Sequence, residues 1–469
     1  MVLRKKFLFW ITPILILFFL FESFTRRSLA MTAEEEKKLG KKILLEMEKQ
    51  VELVNDPTIH VFINKIGYSI VKELGPTPFE FKFYVIKAQD PNAFAIPGGY
   101  IFVTSGLIVL AENEQEIAGV LGHEISHVTG RHIDQMIERS KRLNLATLAG
   151  MIAGVLVGGG GSGSQAVAAT AMATAEALSL KYTRENEVDA DQNGLQCMIK
   201  AGYDPNGMIT FLNRIYKTNL TSAPKVPTYL LTHPAIEDRI SLVETLLQIG
   251  QKPVGPFKKV GNFKRVQSKI FAEERGPDVA VNHFGSMVKK NPQDVDGIYG
   301  LGLAFKKMGR LDKSTEVFQS GLSLSPKDPD LLRELGIVYF LSGKLDRAIE
   351  NLEAARSVSV PDQDSDLSTL YYLGRAYQEK ENLANALPLF LKVQKEMPEF
   401  VEVYLNLGSV HGRMGQKGLS HFYFGKHFKL RGDGKNALLH FKTALEWLEK
   451  GSPEKEEAQQ EIKELTPRK

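Results

Sequence analysis

The chain has a single cysteine, Cys197, among 469 residues, and that scarcity excludes an internal disulfide framework. Its neighbours Leu195, Met198 and Ile199 predict a packed helix side chain, with no histidine base at hand for nucleophilic work. No Gly-x-Ser-x-Gly elbow and no Gly-x-x-x-x-Gly-Lys loop occurs, so serine-hydrolase and nucleotide-hydrolase readings lack the turn they need. Charge of one sign is not in excess. With 59 basic and 55 acidic residues the net charge is +4, and the basic residues do not interleave with stacking aromatics. Nucleic acid is therefore not an implied partner.

Long apolar runs are also scarce. Beyond Phe7 to Phe21, no stretch is long and apolar enough to cross a bilayer. That run of 15 residues follows Arg4, Lys5 and Lys6 and precedes Ser28-Leu29-Ala30, a small-x-small cleavage pattern. It has the length of a signal-peptide core and falls short of the about 20 residues a span needs. Arg26 and Arg27 beside the cleavage pattern keep an uncleaved anchor open as the alternative. Residues 1–30 are thus read as signal peptide or N-terminal anchor, and both readings export the remainder of the chain to the periplasm or cell envelope.

The chain does have His123-Glu124-Ile125-Ser126-His127. At about 3.6 residues per turn, positions four apart share a helix face, so both imidazoles can reach one zinc ion. Glu124 then lies where it can take a proton from water. Asn113 as N-cap with Glu116 as its capping-box partner, apolar Ile117, Val120, Leu121, Ile125 and Val128, and a stop at Gly130 predict the helix that carries the motif. His132, five residues beyond His127, is expected to point about 140° off the ligand face and to be solvated next to Arg131.

A catalytic zinc usually takes three protein ligands. The segment Tyr182-Thr183-Arg184-Glu185-Asn186-Glu187-Val188-Asp189-Ala190-Asp191 offers two pairs four apart, Glu187 with Asp191 and Glu185 with Asp189. Spacing leaves the choice between them open. The alternating runs Phe79–Ile86 and Tyr100–Thr104, separated by a Pro97-Gly98-Gly99 turn, predict strands ahead of the metal helix. A free strand edge there would hold an extended peptide by its backbone. Leu143 to Val157 and Ala166 to Ala177, around a Gly/Ser-rich tip, predict a close-packed helical hairpin.

Beyond Lys252–Lys269, whose prolines, glycines and charges predict a linker, the chain repeats. Leu301-Gly302, Leu335-Gly336, Leu373-Gly374 and Leu407-Gly408 are spaced by 34, 38 and 34 residues, the four extra falling at the polar stretch Asp362–Asp366. Such a period of helix pairs is the tetratricopeptide signature, and its stacks present a concave binding surface. The last step, Gly408 to Gly425, is 17 residues, which predicts one helix shared between successive units. His411, His421, His427 and His440 lie in these repeats without an acidic or cysteine partner at ligand spacing.

Together the HExxH helix, the Glu187-x-x-Ala190-Asp191 segment and Asn92-Ala93-Phe94-Ala95-Ile96-Pro97-Gly98-Gly99-Tyr100-Ile101 resemble the zinc metalloproteases grouped with HtpX and the CAAX prenyl endopeptidase, in particular members that add tetratricopeptide repeats. The resemblance spans Met31 to Leu247 and the repeats beyond. It implies one Zn2+ per chain held by His123, His127 and Glu187, with Glu124 as catalytic base and Asp191 as proton donor or as partner behind a ligand imidazole. Thr232-His233-Pro234 with Arg239 is similar to a further family element. That likeness implies His233 as a removable fourth ligand and Arg239 as a cleft residue; against it stands a reading in which His233 caps a helix and Arg239 pairs with a surface acid.

The expected architecture is an α+β zinc metalloprotease with a small β-sheet over residues 31–250, a linker at 251–272, an all-α tetratricopeptide solenoid at 273–450 and a charged tail at 451–469. The expected function is zinc-dependent peptide hydrolysis of unfolded or misassembled envelope proteins, the repeats selecting clients or an outer-membrane assembly partner. A repeat-based chaperone or assembly adaptor with a latent protease domain is the alternative.

Overall fold

The computed structural model describes residues 31–139, 182–221, 226–250, 256–358 and 366–466. The leader and the hairpin at 143–177 lie outside the described residues. Among the described residues, no helix is long and apolar enough to cross a membrane.

The first part opens with helices α1 (Ala33–Met47) and α2 (Pro57–Val71). Thr32 and Glu35 form a reciprocal capping box at the start of α1, and Asp56 accepts from the Thr58 and Ile59 amides to start α2. Strands β1 (Lys82–Ile86), β2 (Ala93–Ile96) and β3 (Tyr100–Thr104) come next. Their order is β1-β3-β2, with β1 parallel to β3 (Lys82 opposite Tyr100) and β2 antiparallel to it (Ala93 opposite Val103). The sheet is therefore mixed. The two predicted strands pair with each other, and the edge beside the helix at Glu114–Thr129 belongs to neither of them but to β2. Gly98 and Gly99, at φ +87° and +94°, make the β2–β3 turn; a Cβ on Gly99 would lie 2.7 Å from the Glu80 carbonyl oxygen, so no larger residue fits.

After α3 (Ser105–Leu110), Asn113 caps α4 (Glu114–Thr129) by accepting from the Gln115 and Glu116 amides. The expected reciprocal bond from Glu116 is not made. Its carboxylate instead accepts from the Glu112 amide and from Arg214, a cation that no local pattern could have supplied. Short α5 (His132–Arg139), then α6 (Arg184–Lys200), α7 (Asn206–Thr221), α8 (Thr228–Thr232) and α9 (Ile236–Ile249) complete this part. Ile63, Ile66, Phe83, Ile101, Leu121 and Ile125 are core residues packed between helices and sheet.

The expected linker at 251–272 needs correction. Helix α10 (Phe263–Glu274) begins inside it, capped by Asn262. The Gln267 amide donates to the Ile108 and Ala111 carbonyls at 2.9 and 2.6 Å, and Phe263 meets Phe62 at 5.8 Å between ring centroids. Basic residues masked the apolar stripe of Phe263, Val266 and Ile270. The charged tail is likewise helical over Pro453–Leu465, with buried Ala458.

Helices α11 (Pro277–Lys290), α12 (Val295–Lys307), α13 (Leu311–Leu324), α14 (Pro329–Leu341), α15 (Leu345–Val358), α16 (Leu367–Glu379), α17 (Leu383–Glu396), α18 (Val401–Arg413), α19 (Lys417–Leu430), α20 (Gly434–Trp447) and α21 (Pro453–Leu465) form the repeats. The Leu-Gly beat has a packing cause. Gly302, Gly336, Gly374 and Gly408 each leave room for a side chain sixteen residues on, Phe318, Leu352, Phe390 and Phe424, which a Cβ would strike at 2.4 to 2.9 Å. Gly425 meets Phe441 in the same way, so α19 carries both the ring that enters one unit and the glycine that opens the next. The shared helix inferred from the half-period is α19.

The repeats dock on the first part through buried charge. Lys269 reaches Asp56 Oδ2 at 2.8 Å and Glu334 Oε1 at 3.2 Å, and Lys306 also holds Glu334, at 2.5 Å. His60 meets Glu399 at 2.8 Å. The inner helices α12, α14 and α16 thus turn toward α2, leaving a cavity of about 430 Å³ that includes Asp56, Lys269, Tyr371 and Arg375 in its wall.

Candidate metal centre

Helix α4 sets His123, Glu124 and His127 on its buried side, all at 1% exposure or less. Helix α6 starts at a Thr183–Asn186 capping box and brings Glu187 and Asp191 to face them. The two helices approach this closely because both contact residues are glycines. A Cβ on Gly194 would lie 2.8 Å from the backbone carbon of Gly122 and from the His123 nitrogen, and one on Gly122 would lie 2.9 Å from the Gly194 oxygen. Backbone atoms cannot yield as side chains do. Gly194→Ala is therefore expected to push α6 away from α4, costing about 1–3 kcal/mol of stability and weakening metal binding. Chemical denaturation together with chelator competition would check both.

One ligand atom each from His123, His127, Glu187 and His233 lies within 4.8 Å of all the others. His123 Nε2 stands 3.0 Å from His127 Nε2 and 3.3 Å from His233 Nδ1, and that atom is 3.1 Å from Glu187 Oε1. Glu187 Oε1 is 3.4 Å from His127 Nε2. Ring nitrogens and a carboxylate oxygen converging on one buried point are the donor set of a divalent cation, and these residues fit one. Spacing had left Glu185/Asp189 and Glu187/Asp191 tied. The fold turns Glu187 and Asp191 inward, while Asp189 is about half exposed.

Asp191 has no free oxygen. Oδ1 is 2.8 Å from His123 Nδ1 and accepts from Arg239 Nη2 at 2.7 Å, and Oδ2 accepts from Arg239 Nε at 2.8 Å. Burial pushes the Asp191 carboxyl up, but Arg239 and His123 outweigh it and bring it down to about 2. Arg239 Nη1 also lies 2.8 Å from Glu187 Oε2. Burial raises the Glu187 carboxyl too, yet Arg239 and His233 hold it well below the usual range. The reading that paired Arg239 with a surface acid is wrong: the guanidinium is 2% exposed and both its acids are buried. Glu124 differs. Among the described residues neither of its oxygens has a hydrogen-bond partner, and burial raises its carboxyl against the pull of His233 and His123. A buried, unsatisfied carboxylate of raised affinity for protons is what a base needs.

His233 sits between α8 and α9, fully buried, with Nε2 3.3 Å from the Ala93 carbonyl on β2 and 3.4 Å from Glu124 Oε1. Two tyrosines invisible to motif reading wall the centre. Tyr182 stacks on His127 at 3.6 Å and 11°, and Tyr229 stacks on His233 at 4.5 Å. His132 also corrects the sequence reading. It is 4% exposed, with Nδ1 3.0 Å from His127 Nδ1. Helical projection failed because the helix ends first: Arg131 has φ +53°, which swings the next residue back.

Residues 62–247 match peptidase family M48, and residues 299–366 and 333–402 match the tetratricopeptide repeat. The chain is 29% identical to a Vibrio cholerae protein named for beta-barrel assembly-enhancing protease, over 61% of this chain and 59% of that one. It is 32% identical to the Yersinia pestis beta-barrel assembly-enhancing protease over 46% of this chain and 45% of that one. Schizosaccharomyces pombe mitochondrial metalloendopeptidase OMA1 is 26% identical over 42% of this chain and 56% of its own. The chain thus spans about half the length of the relatives it matches. Among solved structures, the tetratricopeptide protein YrrB superposes at a TM-score of 0.31 and 16% identity over 39% of this chain and 91% of its own. The histidine–glutamate centre on its two facing helices thus lies within the part of the chain that matches peptidase family M48, and the helices beyond it match the tetratricopeptide repeat.

Proposed function

We propose that the chain is a zinc-dependent endopeptidase of the cell envelope that degrades unfolded or misassembled proteins. The observation carrying this reading is the convergence of His123, His127 and Glu187 beside the carboxylate of Glu124, which among the described residues accepts no hydrogen bond. These three residues would hold the ion, which when bound supplies Lewis-acid polarisation of water and the scissile carbonyl. Glu124 takes a proton from the attacking water and passes it to the leaving amine. Asp191 fixes the His123 ring, and Arg239 fixes Asp191. An extended peptide would lie along the outer edge of β2, held by its backbone. The repeats, in this reading, bind client proteins or an outer-membrane assembly partner, a role in keeping with the names of the relatives. Elemental analysis of purified protein should find one zinc per chain, and casein hydrolysis should stop on chelation and return with zinc. Absence of stoichiometric metal would end the proposal.

A latent state is favoured by one observation, the place of His233 among the ligand atoms. As a fourth ligand it would fill the position that water needs. His233→Ala is then expected to raise casein hydrolysis on the order of tenfold, the effect of ~1.4 kcal/mol of latch, without loss of zinc. Unchanged hydrolysis and unchanged coordination in that variant would leave a buried histidine with no switching role.

A further inference from the structure

Each ligand imidazole uses one nitrogen for the ion, so the other nitrogen must be held by something else. For His123 that partner is the Asp191–Arg239 pair. Among the described residues no carboxylate stands behind His127 Nδ1. That atom faces His132 Nδ1 at 3.0 Å, and His132 Nε2 faces Asp189 Oδ2 at 3.3 Å. We propose that His132 is a positioning residue for the metal centre, a neutral histidine that accepts from His127 Nδ1–H and has its own tautomer set by Asp189. The inference rests on His127 being a metal ligand through Nε2.

Hydrogen-bond logic leaves one arrangement. With Nε2 of His127 given to the ion, Nδ1 carries the proton and donates it. His132 Nδ1 must then be the bare acceptor, so its proton sits on Nε2 and points at the Asp189 carboxylate. A protonated His132 would turn two N–H groups against each other.

The local backbone is built for this contact. Gly130 ends α4, and a Cβ there would lie 2.6 Å from His132 Nε2, inside the ring's own space. Arg131, in left-handed backbone at φ +53°, turns the chain back toward the helix it has just left. That conformation is strained for a non-glycine residue, and it is held from three sides. The Arg131 side chain donates to Glu36, 3.2 Å from Nε, and pairs with Asp134 at 3.1 Å; it also donates to the Met31 carbonyl. Tyr182 stacks on the face of His127 while His132 meets its edge.

The test is zinc affinity of the full chain by chelator competition, read with the visible spectrum of the cobalt-loaded protein. His132→Asn keeps an acceptor oxygen near the Nδ1 position, and His132→Leu removes it. The leucine variant should bind zinc about 10- to 100-fold more weakly and show an altered cobalt band; the asparagine variant should stay within about threefold of wild type with its band unchanged. Gly130→Ala, which displaces the ring without touching its chemistry, should behave like the leucine variant and serves if leucine prevents folding. Equal affinities for all variants would overturn the proposal. So would equal weakening by Asn and Leu, since that would make ring packing the cause. If wild type itself binds no metal, the metalloprotease reading falls, a result distinct from either.

Discussion

Glu124→Gln is expected to lower casein hydrolysis by between about 10² and 10⁴ while leaving zinc content and melting temperature near wild type. The amide matches the carboxylate in shape, and among the described residues neither Glu124 oxygen has a hydrogen-bond partner for the substitution to break. What is lost is the capacity to take a proton. A deep loss of activity with metal retained is therefore the signature of a base, whereas loss of metal would make Glu124 a ligand. Activity within a fewfold of wild type would move the base elsewhere. The same variant separates the two functional classes in cells: a phenotype lost with Glu124→Gln belongs to proteolysis, and one fully rescued by it belongs to an adaptor built on the repeats.

Arg239→Met should destabilise the protein by about 3–5 kcal/mol, because it leaves Asp191 and Glu187 buried without their shared cation. Its guanidinium spans both, with Nη2 and Nε on Asp191 and Nη1 beside Glu187. The sign of the acid response comes from Asp191. Its folded pKa, about 2, lies below the unfolded carboxylate value near ~4, so the stability it contributes is present above the unfolded value and lost as pH falls toward the folded one. Urea denaturation of metal-free protein at neutral pH and near pH 3 would measure both effects. The deficit of the variant should be largest at neutral pH and shrink on acidification. A variant as stable as wild type at neutral pH would show that solvent reaches these carboxylates.

Much of this molecule is legible in single segments. His123 and His127 come together because four residues make roughly one helical turn, and no distant contact is needed. The glycine beat of the repeats is equally local in origin, since each small residue anticipates a large one in the neighbouring helix. The strands at 82–86 and 100–104 are foreshadowed by alternation, and their flanking turn by Pro97-Gly98-Gly99. Where pattern reading failed, a backbone conformation or a long-range partner decided. Residues 263–272 look like linker because Lys264, Arg265 and Lys269 hide an apolar stripe, and Arg265 and Lys269 are satisfied by Asp328, Asp330, Asp56 and Glu334, all far away along the chain. His132 looked solvated because helical projection was carried past the helix end at Gly130.

By itself the sequence determined the imidazole pair, the carboxylate between them, and the helical repeat, because periodicity and short-range sterics act within one or two turns. Spacing left the choice among four acids open, and only the family resemblance pointed to Glu187 and His233; tertiary structure turned Glu187 and Asp191 toward those imidazoles, tied Asp191 to Glu187 through Arg239, brought His233 into the cluster and set His132 against His127. Those outcomes depend on how closely α4 and α6 can approach across Gly122 and Gly194, and on a reversal at Arg131. The distance between Gly122 and Gly194, 72 positions apart in the sequence, is set by packing, which no spacing along the chain encodes.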